Sequence, residues 1–311
     1  MGKIPECENR IASPQVEGSL VIEETNPDEI IKLIDGLDIN KSCREDDIPI
    51  KFIKLSSNII SGFLSDIFNK CIKLGVYPNL LKVAKVVPIF KKGSKDECSN
   101  YRPISLLMNI NKLFEKIIHK RMYSFLEKKK ILNQNQYGFR KNSNTAFAIY
   151  DLIENKLKNL DENLYTCALY VDLSKAFDTV DHNILSKKLY HYGIRGIALE
   201  LINNYLLNRK QYVFVNGVKS NQTLIKIGVP QGSVLGPLLF LLYINDLPYA
   251  SSLITKLFAD DTCLIFSALT IDQLQIDINR EMHKIHNWMS ANKPSINYLK
   301  TKYIIIQRNN N

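Results

Sequence analysis

Three aspartates stand where carboxylates can act together. Asp172 closes the apolar run Cys167-Ala168-Leu169-Tyr170-Val171, and 88 residues later Asp260 and Asp261 lie between two apolar stretches, Ile254 to Phe258 and Thr262 to Phe266. Carboxylates at strand ends are costly to crowd unless something neutralises them, and hard divalent cations prefer carboxylate oxygen. Two Mg²⁺ ions roughly 3.5 to 4 Å apart can clamp the attacking and leaving oxygens of a phosphoryl transfer. Taken singly, each aspartate has an ordinary alternative, Asp172 as a cap or turn residue before Ser174 and Asp260-Asp261 as a turn pair. The residue types suggest a two-metal site without establishing one.

The elements that must carry these residues are legible from periodicity. Thr166 to Leu173 reads as a strand buried on both faces, and Ile254 to Phe258 with Thr262 to Phe266 as two strands meeting at Asp260-Asp261. Asn26-Pro27-Asp28-Glu29 predicts a capped helix start, and Ile53 to Leu74 one amphipathic helix stopped by Gly75. Ile110 to Phe125, Thr145 to Leu160, Asn183 to Tyr192, Ala198 to Leu207, Pro237 to Ile244 and Ile271 to Met289 read as further helices. Lys85 to Phe90 and Tyr303 to Gln307 read as strands. Asn216-Gly217 signals a hairpin between Tyr212 to Val215 and Thr223 to Ile227. The expected fold class is mixed α/β (α+β), with antiparallel hairpins among helices.

Charge narrows the partner. Over 311 residues, 41 Lys and Arg against 31 Asp and Glu leave +10; from Lys82 to Lys141 fifteen basic residues face four acids, and the remainder sums to −1. A basic block on an otherwise neutral chain suits a phosphate-bearing partner. Lys128 to Lys130 also have a structural reason, because cations favour a helix C-terminus. The six cysteines, at 7, 43, 71, 98, 167 and 263, never form a C-x-x-C and read as small hydrophobes in a reducing compartment. No signal peptide is seen, and the longest nearly apolar run, Val234 to Ile244, falls short of the roughly 20 residues of a membrane span.

Several segments together resemble the reverse transcriptase domain of non-LTR (LINE-type, jockey-like) retrotransposons. Lys85-Val86-Val87-Pro88-Ile89-Phe90-Lys91-Lys92-Gly93, Asn100-Tyr101-Arg102-Pro103-Ile104-Ser105-Leu106-Leu107 and Gln136-Tyr137-Gly138-Phe139-Arg140 are similar to that family's fingers motifs. Tyr170 to Asp178 resembles motif A, Gly228 to Pro237 motif B, Phe258-Ala259-Asp260-Asp261 motif C, and Asn297-Tyr298-Leu299-Lys300-Thr301-Lys302 motif D. The resemblance covers about Pro27 to Gln307. It implies an RNA-directed DNA polymerase, a nucleotidyltransferase, with right-hand fingers (about 81–160) and palm (about 161–311) behind an N-terminal extension (1–80), and with the thumb missing. Its cofactor would be two Mg²⁺ ions, with Mn²⁺ as a substitute. Its partners would be an RNA template, a DNA primer and dNTPs, with no membrane, in the nucleus or cytoplasm.

By the same resemblance, Asp172 and Asp260 would hold both metals with Asp261 supporting, and Phe177 would press on the incoming sugar as a gate against a 2′ hydroxyl. Gln231 and Gly232 would lie along nucleotide and template. Arg102 and one of Lys91, Lys92 or Lys95 would hold the triphosphate, Arg140 would meet template backbone, and Lys300 would protonate the leaving pyrophosphate, with Lys302 as its competitor. Departures from the family are the loss of both glycines in Ser42 to Pro49 and Pro294 in place of Leu. The family would continue past Gln307 into a primer grip and thumb, and an endonuclease would precede the polymerase part, so the expectation is a truncated copy. The alternative is a catalytically inactive remnant that only binds RNA.

Overall fold

A computed structural model describes residues 11, 13, 15–40 and 48–307. The chain divides into two compact units, each assembled from segments far apart in sequence: unit I holds residues 130–188 and 240–307 with the few described residues before 16, and unit II holds 16–129 and 189–239. Residues 42–47, where the family's glycines are lacking, and Cys7 and Cys43 lie outside the described residues.

In chain order, Asn26 accepts the backbone N–H of Glu29 to cap α1 (Pro27–Asp35). The long helix expected over 53–74 is two helices, α2 (Ile50–Leu55) and α3 (Ser57–Leu74), because the Ser56 hydroxyl bonds back to the Phe52 carbonyl at 2.8 Å and closes the first turn. Strands β1 (Val83–Phe90) and β2 (Tyr101–Leu106) form an antiparallel hairpin, followed by α4 (Asn109–Lys128). Then come α5 (Thr145–Asp161), β3 (Tyr165–Val171), β4 (Leu173–Ser174), α6 (His182–His191) and α7 (Ile197–Leu206). Strand β5 (Lys210–Val215) turns at Asn216-Gly217, both at positive φ, into the short β6 (Val218–Lys219). The expected return strand is therefore broken, and β7 (Thr223–Leu224) pairs separately with the start of β5. Finally come α8 (Leu235–Ile244), β8 (Ile254–Phe258), β9 (Asp261–Ala268), α9 (Ile271–Asn292), β10 (Ser295–Ile296) and β11 (Lys302–Ile306).

Unit II holds a sheet of order β2-β1-β5-β6, with β1 and β5 parallel, together with α1 to α4 and α7. Its core forms where the 3.6-residue period of α4 places Leu113, Phe114, Ile117 and Ile118 inward, all fully buried. Phe68 stacks on Phe114 at 4.5 Å, Tyr77 stacks on Phe114 at 5.0 Å, and Tyr205 meets Tyr77 edge-on. Part of the basic block is used here for structure. Lys82 is buried and donates to Asn204, Lys85 is buried with its ammonium 3.6 Å from the Phe214 ring centre, and Lys120 and Arg121 both pair with Glu29.

Unit I is built on an antiparallel sheet of order β11-β3-β9-β8. The apolar run in β3 is central in that sheet, with Ala168 fully buried against Cys263 and Ile265. Behind it Lys188 and Asp246, both buried, form an ion pair at 2.5 Å; the Trp288 indole donates to the same carboxylate, so side chains of α6 and α9 share one anchor. Of the described cysteines, Cys167 and Cys263 are buried, Cys71 is half-buried and Cys98 is exposed, and all four are free thiols. Burial pushes Cys263 up to about 11, against the attraction of Lys156.

Candidate active site

Asp172 is the residue at which the expected strand 166–173 breaks. It lies outside the strand registers, between β3 and β4, and on the facing segment β10 pairs with β4 and β11 with β3, leaving residues 297–301 to bulge opposite it. The Asn297 N–H donates to the Asp172 carbonyl at 2.8 Å, and the Asn297 carbonyl accepts the N–H groups of Lys300 and Thr301 at 3.1 and 3.0 Å. That turn brings Lys300 Nζ to 3.4 Å from Asp172 Oδ2. Lys302 instead pairs with Tyr170 along β11. Of the two lysines left open by the sequence, Lys300 is the one set against Asp172.

Asp260 and Asp261 occupy the tip of the β8–β9 hairpin, where Phe258 pairs with Asp261. Burial raises the Asp261 carboxyl, the charges of Asp260 and Asp172 raise it further, and Lys300 opposes them. The three aspartates and Lys300 thus share one electrostatic field at one end of the unit I sheet. The donor set, carboxylate oxygen only, is the chemistry that a hard divalent cation selects. Among the described residues no group of three His, Cys, Asp or Glu side chains is drawn together closely enough to enclose a metal ion; Lys300 is the cation that faces Asp172.

Phe177, half-buried in a turn after β4, stacks on Phe240 with ring centres 4.8 Å apart and meets the exposed Phe139 edge-on. Arg140 donates to the Asn133 carbonyl at 2.9 Å, so its guanidinium closes the loop 133–140 on itself. In unit II, Arg102 is exposed on β2 and Lys92 is exposed in the turn after β1, neither paired with a described acid.

The Gln231-Gly232 segment is also in unit II and is held from both sides. The Ser105 N–H donates to the Gln231 carbonyl at 2.7 Å, and Gly232, at φ +109°, comes so near that a Cβ there would stand 2.7 Å from the Ser105 carbonyl oxygen. On the other side Glu115, fully buried on α4, accepts the backbone N–H groups of Val234 and Leu235, and also Asn111 Nδ2 at 2.8 Å and the Tyr205 hydroxyl at 3.0 Å. Glu115 was not singled out from the sequence, where it is one of four acids in a basic block. Gln136, read from the sequence only as the first residue of a motif similar to the family's fingers motifs and given no role, is buried, and its Oε1 accepts the N–H groups of Gly138 and Ala259 at 2.8 and 2.9 Å. The available signal was Gly138, a glycine whose backbone comes so near that a Cβ there would stand 2.3 Å from the Ala259 nitrogen.

Carboxylates at a hairpin tip and a strand break of an antiparallel sheet suit two-metal phosphoryl chemistry of several kinds, and residues 89–309 match the family described as reverse transcriptase (RNA-dependent DNA polymerase). The chain belongs to that family. It is similar to the probable RNA-directed DNA polymerases of transposon BS and transposon X-element of Drosophila melanogaster, at 29% identity over 91% of the chain and 30% over 89%. It is also similar to the RNA-directed DNA polymerase of the mobile element jockey of the same organism, at 27% over 91%. The resemblance to non-LTR retrotransposon polymerases read from the motifs is thereby borne out. The chain spans about a third of the length of these relatives, 32%, 31% and 32% respectively.

Proposed function

We propose that this chain carries the polymerising activity of a non-LTR retrotransposon enzyme, extending a DNA primer with dNTPs along an RNA template. The observation that carries this reading is the shared field of Asp172, Asp260, Asp261 and Lys300 at one sheet end. When bound, two Mg²⁺ ions would polarise the primer hydroxyl and neutralise triphosphate charge. Asp172 and Asp260 would hold them, with Asp261 supporting. Lys300 exchanges its ion pair with Asp172 for a proton donation to the departing pyrophosphate oxygen. Phe177, braced by Phe240, presses on the incoming sugar. Gly232 gives the nucleotide close backbone approach, Arg102 and Lys92 supply triphosphate contacts, and Arg140 meets template backbone.

In this reading the unit I sheet belongs to the palm and the β1–β2 hairpin to the fingers, with residues 1–80 as an extension. Among the described residues no helix is long and apolar enough to cross a membrane. The test is primer extension on an RNA template with Mg²⁺. Extension that Asp260→Asn abolishes is expected, and Phe177→Val should admit ribonucleotides. A folded protein that binds RNA in a salt-dependent way without extending any primer overturns the polymerase reading and leaves RNA binding alone.

A further inference from the structure

We propose that Gln136 is a positioning residue that sets the backbone of the Asp260-Asp261 turn, and so the place of the Asp260 carboxylate; this rests on the polymerase reading above. Between the paired Phe258 and Asp261 the turn has two residues, Ala259 and Asp260. Ala259 has φ +56°, a left-handed conformation that disfavours any residue with a Cβ and for which glycine is the usual choice at the head of such a turn. Something must hold an alanine there.

The Gln136 side chain is placed to do so. Its Oε1 accepts the Ala259 N–H at 2.9 Å and its Nε2 lies 3.5 Å from the Ala259 carbonyl oxygen, so one amide grips both polar groups of the strained residue. Gln136 itself is fixed by its backbone neighbours. The Leu257 N–H donates to the Asn135 carbonyl and the Tyr137 N–H to the Leu257 carbonyl, both at 2.8 Å, which lays residues 135–137 along the edge of β8. Lys256 Nζ holds Asn135 Oδ1 at 3.0 Å and pairs with Asp151, which also accepts the Tyr137 hydroxyl. Gly138 completes the mould: a Cβ there would stand 2.3 Å from the Ala259 nitrogen. Rotation of the Ala259 peptide would swing Asp260, the next residue, so the amide grip passes directly to a carboxylate of the site.

The experiment uses the full chain with Gln136→Met, which keeps length and bulk but no polar atom, Gln136→Ala, and each combined with Ala259→Gly. Expected are a loss in kcat of about 10- to 100-fold for the single variants, as for a misplacement on the order of 1 Å, with little change in dNTP KM. Ala259→Gly should return several-fold of that loss, because glycine takes positive φ without being held. Folded single variants with undiminished kcat, or double variants no faster than the singles, overturn the proposal. Hydrogen exchange separates its failure from that of the polymerase reading. The Ala259 amide should be protected in the unaltered protein and exchange fast in Gln136→Met even if no primer is extended, and unchanged protection overturns the positioning role by itself.

Discussion

The two corners to which the motifs lead are built on opposite terms. In unit I, Asp172, Asp260 and Asp261 are left partly open to solvent with like charges on one another, and Lys300, a cation that faces Asp172, is itself largely exposed. In unit II, Ser105 takes up the Gln231 carbonyl on one flank of the segment 231–235, and the buried Glu115 takes up the Val234 and Leu235 N–H groups on the other. One corner keeps charge available at the expense of local stability, and the other keeps backbone still and contributes to stability. Residues that look equally motif-like in sequence therefore differ in what their removal should cost.

The largest contrast is expected at Asp260. Asp260→Asn should lower the extension rate by about 1,000-fold or more, as several kcal/mol of transition-state stabilisation imply, while the melting temperature holds or rises because a like charge is gone. A large fall in stability would erase the distinction between the corners. Next is Glu115→Ala, which leaves buried donors on Val234, Leu235, Asn111 and Tyr205 without their acceptor. Urea denaturation should show a loss of about 2–4 kcal/mol, and a neutral result would mean that the unit II corner is not held as described.

A smaller effect sharpens the comparison by pH. The Arg121 guanidinium, with help from Lys120 and Thr25 and against the effect of burial, pulls the Glu29 carboxyl from 4.5 down to about 2. A carboxyl depressed on folding stabilises the native state above its unfolded value and loses that contribution as pH falls from about 4.5 to 2. With Lys120 exposed, the share is discounted to about 1–2 kcal/mol. Glu29→Gln should remove that much of the difference in urea stability between pH 6 and pH 2.5 and leave extension at neutral pH unaltered. Smallest of all, Lys300→Met should change stability by no more than about 0.5 kcal/mol, since an exposed ion pair contributes little, yet slow the chemical step on the order of 100-fold.

What could be read in advance followed from periodicity and local capping. The Asn26 cap, the inward stripe of α4 and the apolar run of β3 each depend on neighbours within a few residues, and each has its counterpart in the fold. The motif order brought out all three aspartates. What stayed hidden depends on distant partners. The break at Asp172 exists because β10 and β11 meet β4 and β3 from more than a hundred residues away. Lys82 and Lys85 counted as surface charge until β5 and α7 covered them with Phe214 and Asn204. The motif that holds Gln136 does not tell what its side chain grips, and Glu115 stands in no motif, because the decisive partners are backbone groups 123 and 119 residues further on.

The described cysteines also sort themselves by how a thiol reagent would find them. Cys167 and Cys263 are shut inside the unit I sheet with burial raising both thiols, and burial raises Cys71 as well, which leaves Cys98 as the exposed one. Cys98 opens the short turn that leads into β2, a few residues from Lys92, Lys95 and Arg102. With Cys7 and Cys43 replaced, one fluorophore attached at Cys98 would turn that basic hairpin into an optical gauge of arriving phosphate.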